Sequence, residues 1–255
     1  MSKMRSMKRL IYIIISAIPF LSELAIAEDA EFLYSYNDDD YSQIYDPYEK
    51  VNRKIFAFND FLDKVALRPV AKGYKNITND YTRARIGNFL ENVSVPLTIV
   101  NYTLQGRFVR ANQAFWRFFV NTVFGIVGMF DVASKMGITI NYQTFGSTLA
   151  YYGACSGPYI VIPFIGSTSV RDMLDTIPLD TLLNPIKQPM PNNAKIAFFS
   201  LQLLHDRMNV LPFTDFIDKS SSDKYIAVRS ATHQNREYNI EYPKGLVCGK
   251  TRLNK

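Results

Sequence analysis

The chain is poor in the side chains that metal sites and nucleophilic sites most often use. It has two histidines, His205 and His233, and two cysteines, Cys155 and Cys248, among its 255 residues. Neither histidine has a second histidine or a cysteine at the spacing of a metal-ligand pair. The sequence therefore predicts no metal site.

Motifs of the common enzyme classes are also missing. The chain contains no G-x-S-x-G nucleophile elbow, no G-x-x-x-x-G-K phosphate loop and no G-x-G-x-x-G dinucleotide motif. Ser156 and Ser167 lie beside glycines, where a turn explains them more simply than a nucleophile does. An enzyme would be favoured if one of these serines lay within hydrogen-bond reach of His205 or His233. We expect no catalytic residues and no cofactor.

Long hydrophobic runs are absent apart from one near the amino terminus. An uncharged apolar stretch from Leu10 to Leu21 follows a basic start and precedes Ala25-Ile26-Ala27, which predicts a signal peptide cleaved after Ala27. The alternative, an uncleaved membrane anchor, would need about 20 apolar residues. Cleavage would halve the formal net charge of +6, since it removes Glu23 and the basic residues Lys3, Arg5, Lys8 and Arg9. The remaining charge lacks the dense basic stripe of a nucleic-acid-binding protein.

Export also bears on the segment that follows the signal peptide and on the cysteines. Residues 28–45 are acidic and contain no lysine or arginine, which predicts a flexible leader. In an oxidising compartment Cys155 and Cys248 can form a disulfide. The alternative is two independent thiols, one of them buried, and the sequence leaves both open.

The folded domain is expected over residues 46–240, with a basic, loose tail over 241–255. Asp46, Pro47 and Glu49 predict a capping box that starts the first helix. We expect this helix to stop before Pro69. Its apolar residues recur at spacings of three and four and form one stripe: Val51, Ile55, Phe58, Leu62 and Val65.

Helical patterns extend over most of the remaining chain, so the predicted fold class is mostly α. Glycines 125, 128 and 137 indicate tight helix approach or a bend, and residues 146–184 form an irregular middle rich in glycine and proline. Periodicity and stop signals predict helices over Asp80–Asn92, from Ser94 to Gln105 with Pro96 in the first turn, over Arg107–Phe124, over 192–210 and over Ser222–Tyr238.

Three segments are more apolar than a soluble domain of this size requires: residues 51–65, 114–130 and 159–166. Helices that lie in a membrane interface combine an apolar face, aromatic anchors and basic flanks. Candidates for such flanks are Arg53, Lys54, Lys64 and Arg117. The alternative is that the three segments pack together as one core.

The stretch GPYIVIPFIGSTSVRD, residues 157–172, raises the question of what an apolar, proline-broken segment is for. Pro158, Pro163 and Gly166 argue against a regular central strand, and the apolar part is too short to span a bilayer. A non-helical apolar segment at membrane depth needs cover from protein or a water-filled cavity. We expect an irregular segment near a passage, with Arg171-Asp172 opening the next helix.

Ordered blocks along the chain resemble the MlaA (VacJ) family of outer-membrane proteins that maintain lipid asymmetry. The resemblance covers nearly all of the chain after the leader, and the blocks together are specific although no single one is decisive. They are NRKIFAFN (52–59), RPVA (68–71), NFLENVSVP (88–96), NYTLQG (101–106), RFFVNTVFGIVGMFDVA (117–133), FGSTLAYYG (145–153), GPYIVIPFIGSTSVRD (157–172) and SSDKYIAVR (221–229).

The resemblance implies a ring-shaped bundle of amphipathic helices in the inner leaflet of the outer membrane, enclosing an amphipathic channel. It implies non-enzymatic removal of phospholipid from the outer leaflet. Its expected partners are phospholipid, the outer-membrane bilayer, a trimeric porin and a soluble periplasmic lipid carrier of the Mla type. Members of the family are commonly lipoproteins, whereas no cysteine precedes Cys155 here, which puts a lipid anchor in doubt. We expect amphipathic helices and partner contacts to retain this chain at the membrane.

Within the resemblance, a set of residues is predicted to line the lipid passage or to form its structural junctions. Each polar member has the alternative of satisfying a helix end inside the protein. Arg171 and Asp172 are expected to pair with each other rather than with a head-group phosphate. The set is Asn52, Arg53, Phe56, Asn59, Asn101, Gln105, Asn121, Asp131, Tyr159, Ile162, Phe164, Arg171 and Asp172.

Three functions from different classes remain open on the sequence. The favoured one is phospholipid transport without chemical change. The second is a structural protein that binds porins and moves no lipid. The third is a periplasmic lipid-modifying enzyme, which depends on a serine–histidine contact.

Overall fold

The computed structural model describes residues 44–176 and 184–240, and within these ranges the chain is mostly helical, as predicted. The helices are α1 (Glu49–Leu62), α2 (Arg68–Ile77), α3 (Asp80–Leu104), α4 (Phe108–Val123), α5 (Val132–Lys135), α6 (Phe145–Tyr151), α7 (Met173–Thr176), α8 (Asn192–Asn209), α9 (Leu211–Ser220) and α10 (Lys224–Asn239). A π-helical turn, Asp63–Leu67, joins α1 to α2, and two strands, β1 (Tyr159–Ile162) and β2 (Gly166–Ser169), lie between α6 and α7. The signal peptide, most of the leader, the tail and Cys248 lie outside the described residues and stay predictions.

The first helix does not stop before Pro69, so that prediction is wrong. The backbone stays helical through the π turn, where the N–H of Arg68 donates to the carbonyl of Asp63 five residues earlier. Pro69 then lies in the first turn of α2, where its fixed backbone angle fits a helix although it has no N–H to donate to the preceding turn. The wider turn thus lets a proline follow a helix without ending it.

The predicted capping box at the start of α1 is also wrong. Tyr48 occupies the cap position and makes no side-chain cap bond. The carboxylate of Asp46 instead accepts hydrogen bonds from Asn52 at 2.8 Å, from Arg229 at 3.0 Å and from the hydroxyl of Tyr225. The side chain of Asp46 therefore belongs to a long-range hydrogen-bonded cluster and does not cap the helix, contrary to what the local sequence had predicted.

The two helices predicted on either side of Asn92 are one helix, α3, with Pro96 in its interior. A proline there removes one intrahelical hydrogen bond and crowds the carbonyl four residues earlier. The helix nevertheless continues because residues on both sides of the proline, including Val93, Val95 and Tyr102, are buried. Val95 and Tyr102 pack on Ala111 and Ala114 of α4. Packing against α4 outweighs the local signal.

The apolar stretch after Gly157 is a β-hairpin, so the prediction of an irregular segment is wrong. β1 and β2 pair antiparallel, with Tyr159 opposite Ser169 and Ile162 opposite Gly166. Pro163 lies in the turn, where no ladder N–H is needed, and burial alternates along β1. The hairpin leads into α7 directly after Arg171 and Asp172, as expected.

Of the glycines after α4, Gly128 marks a close helix approach, as predicted, whereas a Cβ at Gly137 would meet nothing within 4 Å. Gly128 has φ of +90°, and a Cβ at this position would lie 2.4 Å from the Cβ of Asn92 on α3. Only glycine fits both the left-handed backbone and this contact. The turn brings Asp131 back beside α4.

The apolar core is divided into small clusters rather than gathered in one place. Besides the α3–α4 cluster, Ala71 packs with Met208 and Leu211 between α2, α8 and α9. Tyr159 and Val161 of the hairpin pack on Tyr225 of α10. Many large apolar residues are exposed instead, which is unusual for a water-soluble domain.

Candidate functional site

The predicted site residues do not meet in one pocket but form separate polar clusters that join helices. In the first cluster, two asparagines of α1 hold strand β1. Asn52, 2% exposed, donates to the carbonyl of Tyr159 at 3.0 Å and accepts from the N–H of Val161 at 3.0 Å. Asn59, two helical turns on, donates to the carbonyl of Ile162 at 2.9 Å and accepts from the N–H of Phe164 at 2.9 Å. These side-chain amides make the hydrogen bonds that the backbone of a neighbouring strand would otherwise make at the edge of the hairpin.

Three other predicted residues surround the ring of Tyr225. Phe56 and Tyr159 pack edge-on against it, with centroids 5.5 Å and 6.0 Å away. The guanidinium of Arg53 lies 4.5 Å from the ring centroid. Burial of the ring and the hydrogen bond to Asp46 raise the pKa of Tyr225 well above its usual value. These residues fasten α10 to α1 and the hairpin.

Asn101 and Gln105 belong to a buried amide–hydroxyl network between α3 and α6. Asn101 donates to the carbonyl of Gln143 at 3.2 Å and accepts from the hydroxyl of Thr148 at 2.8 Å. Gln105 donates to the side-chain oxygens of Gln143 at 3.1 Å and Thr148 at 3.0 Å. These hydrogen bonds fix how α6 sits on α3, although Nε2 of Gln143 is buried without a hydrogen-bond partner among the described residues.

Asn121 and Asp131 form a third cluster with Arg117, which was expected to be an exposed basic flank. Arg117 is instead buried and bonds Asp131 at 2.8 Å. Asn121 donates to Asp131 at 3.1 Å and accepts from the N–H of Ala133 at 2.8 Å. Burial alone would raise the pKa of Asp131, but hydrogen bonds from Ser134 and Asn121 and the charge of Arg117 hold it below its usual value.

Arg171 and Asp172 pair with each other, as predicted. The two side chains are 2% and 4% exposed, and Nε of Arg171 lies 2.8 Å from Oδ1 of Asp172. Ser169 donates to the carboxylate at 2.8 Å, and Arg236 of α10 lies 3.3 Å from it. Burial alone would raise the pKa of Asp172, but the hydrogen bonds and charge of Arg171 outweigh it, and the pKa lies below its usual value.

The neighbouring Asp175 should make stability depend on pH in the opposite direction. Burial raises its pKa, and the charge of Asp172 adds to the effect against the N–H of Gly146. The folded state therefore binds the proton more tightly than the unfolded state, so the contribution of this group is complete below the unfolded pKa and is lost as pH rises through the folded value. We expect Asp175→Asn, which retains an acceptor for Gly146, to stabilise the protein at pH 7 and to have little effect at pH 3. Urea unfolding at the two pH values measures this, and equal effects at both would contradict it.

Ile162 and Phe164 lie at the end of β1 and in the hairpin turn. Ile162 is half-buried, whereas Phe164 is 77% exposed and has φ of +66°, a backbone conformation that costs energy for an aromatic residue. Its ring packs edge-on against Phe58 of α1, with centroids 5.4 Å apart. The tip of the hairpin therefore adds to the exposed apolar surface of α1.

The contact that would favour an enzyme is not formed within residues 44–176 and 184–240. Ser156 donates to Glu237 at 3.1 Å, and Ser167 accepts from the hydroxyl of Tyr159 at 2.6 Å. His205 faces the hydroxyl of Tyr74 at 3.4 Å. Across the same residues, no three His, Cys, Asp or Glu side chains are grouped to hold a metal ion, and no helix is long and apolar enough to cross a membrane.

The sequence interpretation missed an ionic seam that joins α1 and α2 to α9 and α10. We define the seam as Glu49, Arg53, Asp60, Lys64, Arg68, Asp215, Asp218, Asp223 and Lys224. Arg53 bonds Asp223 at 2.8 Å, Lys224 bridges Asp60 and Asp218 at 2.5 and 2.6 Å, and Arg68 bonds Asp215 and Asp218 at 2.5 and 2.7 Å. The sequence does show opposite charges four residues apart, Glu49 with Arg53 and Asp60 with Lys64, which predicts ion pairs along one helix. The partners of Arg53 and Asp60 on the other helices lie more than a hundred residues further along the chain, and the sequence does not indicate them.

Large apolar residues of the same helices lie exposed on other faces. On α1 and the π turn, Phe61 is 59% and Val65 is 63% exposed. Helical geometry places Val51 and Phe58 of α1 roughly opposite Glu49, Arg53 and Asp60 of the seam. Further exposed apolar residues are Val70 on α2, Ile196, Phe199 and Leu203 on α8, and Phe213 and Phe216 on α9. The alternative that the apolar segments pack together as one core holds for Ile55 and Phe56, which pack against Tyr159 and Val161 of the hairpin. It is wrong for the exposed apolar residues of 51–65, namely Val51, Phe58, Phe61 and Val65.

A second exposed apolar area lies on α4. Phe115, Trp116 and Phe119 are exposed and contact one another, with ring centroids 5.7 to 6.3 Å apart. Arg117 and Asn121 on the same helix are buried. In α4, Arg117 and Asn121 therefore point into the protein while the rings of Phe115, Trp116 and Phe119 point out.

Known proteins are similar to this chain in sequence and in fold. The family model described as MlaA lipoprotein matches residues 44–239. An uncharacterised protein of Rickettsia conorii is 46% identical over 248 residues, which is 94% of this chain and 98% of that protein. The intermembrane phospholipid transport system lipoprotein MlaA of Escherichia coli K12 is 34% identical over 197 residues, 76% of this chain and 77% of that protein. A solved structure from work on the maintenance of bacterial outer-membrane lipid asymmetry matches with a TM-score of 0.68 and 34% identity, covering 77% of this chain and 99% of that one.

Proposed function

Because the chain belongs to the MlaA lipoprotein family, we propose that it moves phospholipid at the bacterial outer membrane without changing it chemically. It takes phospholipid that has strayed into the outer leaflet and passes it to a carrier in the periplasm. Its relative in E. coli is a lipoprotein of an intermembrane phospholipid transport system, and the similar solved structure concerns outer-membrane lipid asymmetry.

The observation that carries the proposal is the inverted polarity of the helices. In a water-soluble domain charged groups face solvent and apolar groups face the core. Here the ion pairs of the seam, the buried Arg117 and the Arg171–Asp172 pair lie between elements. The side chains of Phe61, Val65, Phe115, Trp116 and Phe119 are exposed instead. This arrangement suits a protein surrounded by acyl chains that keeps a polar interior.

A polar interior can accommodate the head group of a phospholipid. A phospholipid that crosses a leaflet has to keep its head group away from hydrocarbon and its tails away from water. We propose that the amphipathic helices form a ring whose passage offers both environments. Asn52, Asn59, Asn101 and Gln105 act in this proposal as junctions that hold the ring together, since their amides bind backbone or other side chains.

The proposed location is the periplasmic face of the outer membrane, reached after cleavage of the signal peptide. No described helix spans a bilayer, so the exposed faces of α1, α2, α4, α8 and α9 hold the chain in the leaflet by lying in its interface. A trimeric porin and a soluble lipid carrier of the Mla type complete the proposed route. Release from washed outer membranes at moderate salt without detergent would overturn this mode of retention.

A substitution on the apolar face tests the membrane contact. The variant Phe61→Asp/Val65→Asp places two charges on the exposed face of α1 and the π turn, and it should reduce co-flotation with phospholipid vesicles by roughly tenfold or more. Its melting temperature should change little because both side chains are exposed. Tyr238→Asp is the matched control: Tyr238 is also exposed but lies near the end of the polar helix α10. Equal flotation of both variants and the unchanged protein would contradict the proposal.

Removal of the gene separates transport from a purely structural role. If the chain transports phospholipid, the deletion strain should accumulate phospholipid in the outer leaflet, and the intact gene should reverse this. Unchanged lipid asymmetry would favour a structural protein that binds porins. Hydrolysed or otherwise altered lipid on the purified protein would favour an enzyme.

A further inference from the structure

The turn that follows α4 has a strained backbone. Ile126 and Val127 both lie in the left-handed region, with φ of +51° and +56°. A β-branched residue in this region is an outlier, because its side chain crowds its own backbone. The N–H of Val127 donates to the carbonyl of Thr122 at 2.9 Å. The N–H of Gly128 donates to the carbonyl of Asn121 at 2.9 Å, so hydrogen bonds to α4 hold the strained conformation in place.

The side chains of this turn are apolar and exposed. We define the apolar turn as residues 124–129. Ile126 is 62% and Val127 is 57% exposed, and Phe124 and Met129 are exposed as well. In water the exposed apolar area contributes nothing, and glycine or asparagine would adopt the same backbone with less strain. Both costs are offset only where an apolar phase or an apolar partner covers these side chains.

The apolar turn continues the exposed apolar area of α4. Phe119 and Val123 lie about one helical turn apart on α4, and both are exposed. Phe124 follows Val123 directly, so the area extends from the aromatic residues of α4 into the turn. Because the proposed function places the exposed face of α4 in the leaflet, acyl chains are the apolar phase that covers the turn.

On its inner side the turn packs along α3 beside an arginine. Asn88 of α3 donates to the carbonyl of Met129 at 3.0 Å. Three residues earlier on α3, the guanidinium carbon of Arg85 lies 4.7 Å from the ring centroid of Phe130 and 5.0 Å from that of Tyr81. The guanidinium is therefore held against two aromatic rings next to the apolar turn.

The guanidinium of Arg85 has capacity to bind an anion. Among the described residues it forms no hydrogen bond and no ion pair. The side chain is half-buried, and its Nε is buried whereas its two terminal nitrogens are not. Contact with aromatic rings leaves these nitrogens able to donate at the edge of the guanidinium. Two such donors match two oxygens of a phosphate group.

We propose that the apolar turn inserts among the acyl chains of the leaflet while Arg85 binds the phosphate of a phospholipid beside it. The inference rests on the membrane location in the proposed function and assigns one phospholipid contact to a named residue. The ring of Tyr81, which is exposed, then lies at the level of the head groups, where amphipathic aromatic side chains are enriched.

The experiment compares two kinds of neutral vesicle that differ in phosphate. The full-length chain is purified and floated with vesicles of phosphatidylcholine, which contains a phosphate, or of digalactosyldiacylglycerol, which does not. Arg85→Gln should bind the phosphatidylcholine vesicles about tenfold more weakly than the unchanged chain, the loss expected for one charge-assisted hydrogen bond. Its affinity for the galactolipid vesicles should not change.

Arg236→Gln is the matched control for the loss of charge. Arg236 is also partly buried, but it lies on the polar helix α10 and pairs with Asp172. This variant should leave the affinity for both kinds of vesicle unchanged.

A second variant tests insertion of the turn. Asparagine adopts the left-handed conformation more readily than a β-branched residue, so Ile126→Asn/Val127→Asn should raise the melting temperature by about 2–4 °C. It also removes two apolar side chains, so its affinity for both kinds of vesicle should fall by roughly tenfold. Stability and binding should therefore change in opposite directions.

The outcomes separate this inference from the proposed function. If the unchanged chain floats with neither kind of vesicle, the membrane location fails and this contact fails with it. If it floats but Arg85→Gln behaves like Arg236→Gln, or weakens binding to both vesicles equally, the phosphate contact is wrong. Unchanged binding of the asparagine variant would show that the turn does not insert. If millimolar inorganic phosphate abolished the effect of Arg85, the site would bind the free ion and not the lipid.

Discussion

Replacing Asp172 with asparagine should lower the free energy of unfolding at pH 7 by about 3 kcal/mol, because it leaves the buried guanidinium of Arg171 without its main partner. Arg171 is 2% exposed, and the carboxylate of Glu237 also lies near it, at 3.6 Å. The loss should be near the lower end of the range for broken buried pairs, since Glu237 still offsets part of the charge. Urea unfolding followed by circular dichroism measures the change.

The pH dependence gives the same prediction a second readout. The pKa of Asp172 lies below its usual value, so the folded state binds its proton more weakly than the unfolded state. The stability that this group contributes is therefore present above the unfolded pKa of about 3.9 and is lost as pH falls through the folded value. The difference between Asp172→Asn and the unchanged protein should be large at pH 7 and should shrink below about pH 4.

Two controls show whether burial of the pair is the cause. Asp80→Asn removes a carboxylate that is itself exposed and should cost less than about 1 kcal/mol. The double variant Arg171→Met/Asp172→Leu removes both charges and should cost less than the sum of the two single changes. If Asp172→Asn were no more harmful than Asp80→Asn, the pair would not be the buried element that the structure shows.

Replacing Asn52 with alanine should destabilise the protein by about 3 kcal/mol, because it leaves several buried polar groups unsatisfied. The carbonyl of Tyr159 and the N–H of Val161 both lose their partner at the edge of β1, and Asp46 loses one of its donors. An isolated two-stranded hairpin is marginally stable in water. The hairpin should therefore detach from α1 before the helices unfold, and hydrogen exchange at Val161 measures this directly.

Asn59→Ala is the matched comparison on the same helix. Asn59 makes the same type of contact with the end of β1, but the N–H of Phe164 that it binds is exposed and can turn to water. We expect a cost of about 1 kcal/mol and exchange that increases at the hairpin turn only. If both changes lowered stability equally, burial would not distinguish the contacts of Asn52 from those of Asn59.

Local patterns in the sequence predicted the helices because each carries its own signal. The apolar period of three and four residues, the stop at Gln105-Gly106 and the polar character of residues 222–238 depend on neighbours along the chain. Prolines were interpreted less well. In an isolated peptide Pro69 and Pro96 would each end or kink a helix. Here a π turn accommodates Pro69, and packing on α4 accommodates Pro96.

Apart from Ile162, the predicted site residues were polar or aromatic groups inside the matched blocks. The structure places most of the polar ones in contacts within the protein. Asn52 and Asn59 hold the hairpin, Asn101 and Gln105 hold α6, and Asn121 holds the turn before α5. Whether any of them also contacts lipid stays a prediction. The seam escaped notice because Asp60 and Lys224 are distant in sequence and meet only after folding.

The sequence by itself determined that the chain is mostly helical, that its family is MlaA, and that it contains more apolar surface than one core needs. Composition and period are local properties, so they can be read without coordinates. Only the tertiary structure decided which side of each helix faces inward. It places Phe61 and Val65 outside, and it pairs Asp60 with Lys224 and Arg68 with Asp218 between helices. An amphipathic helix has two usable faces, and its sequence alone does not state whether water or acyl chains will surround it.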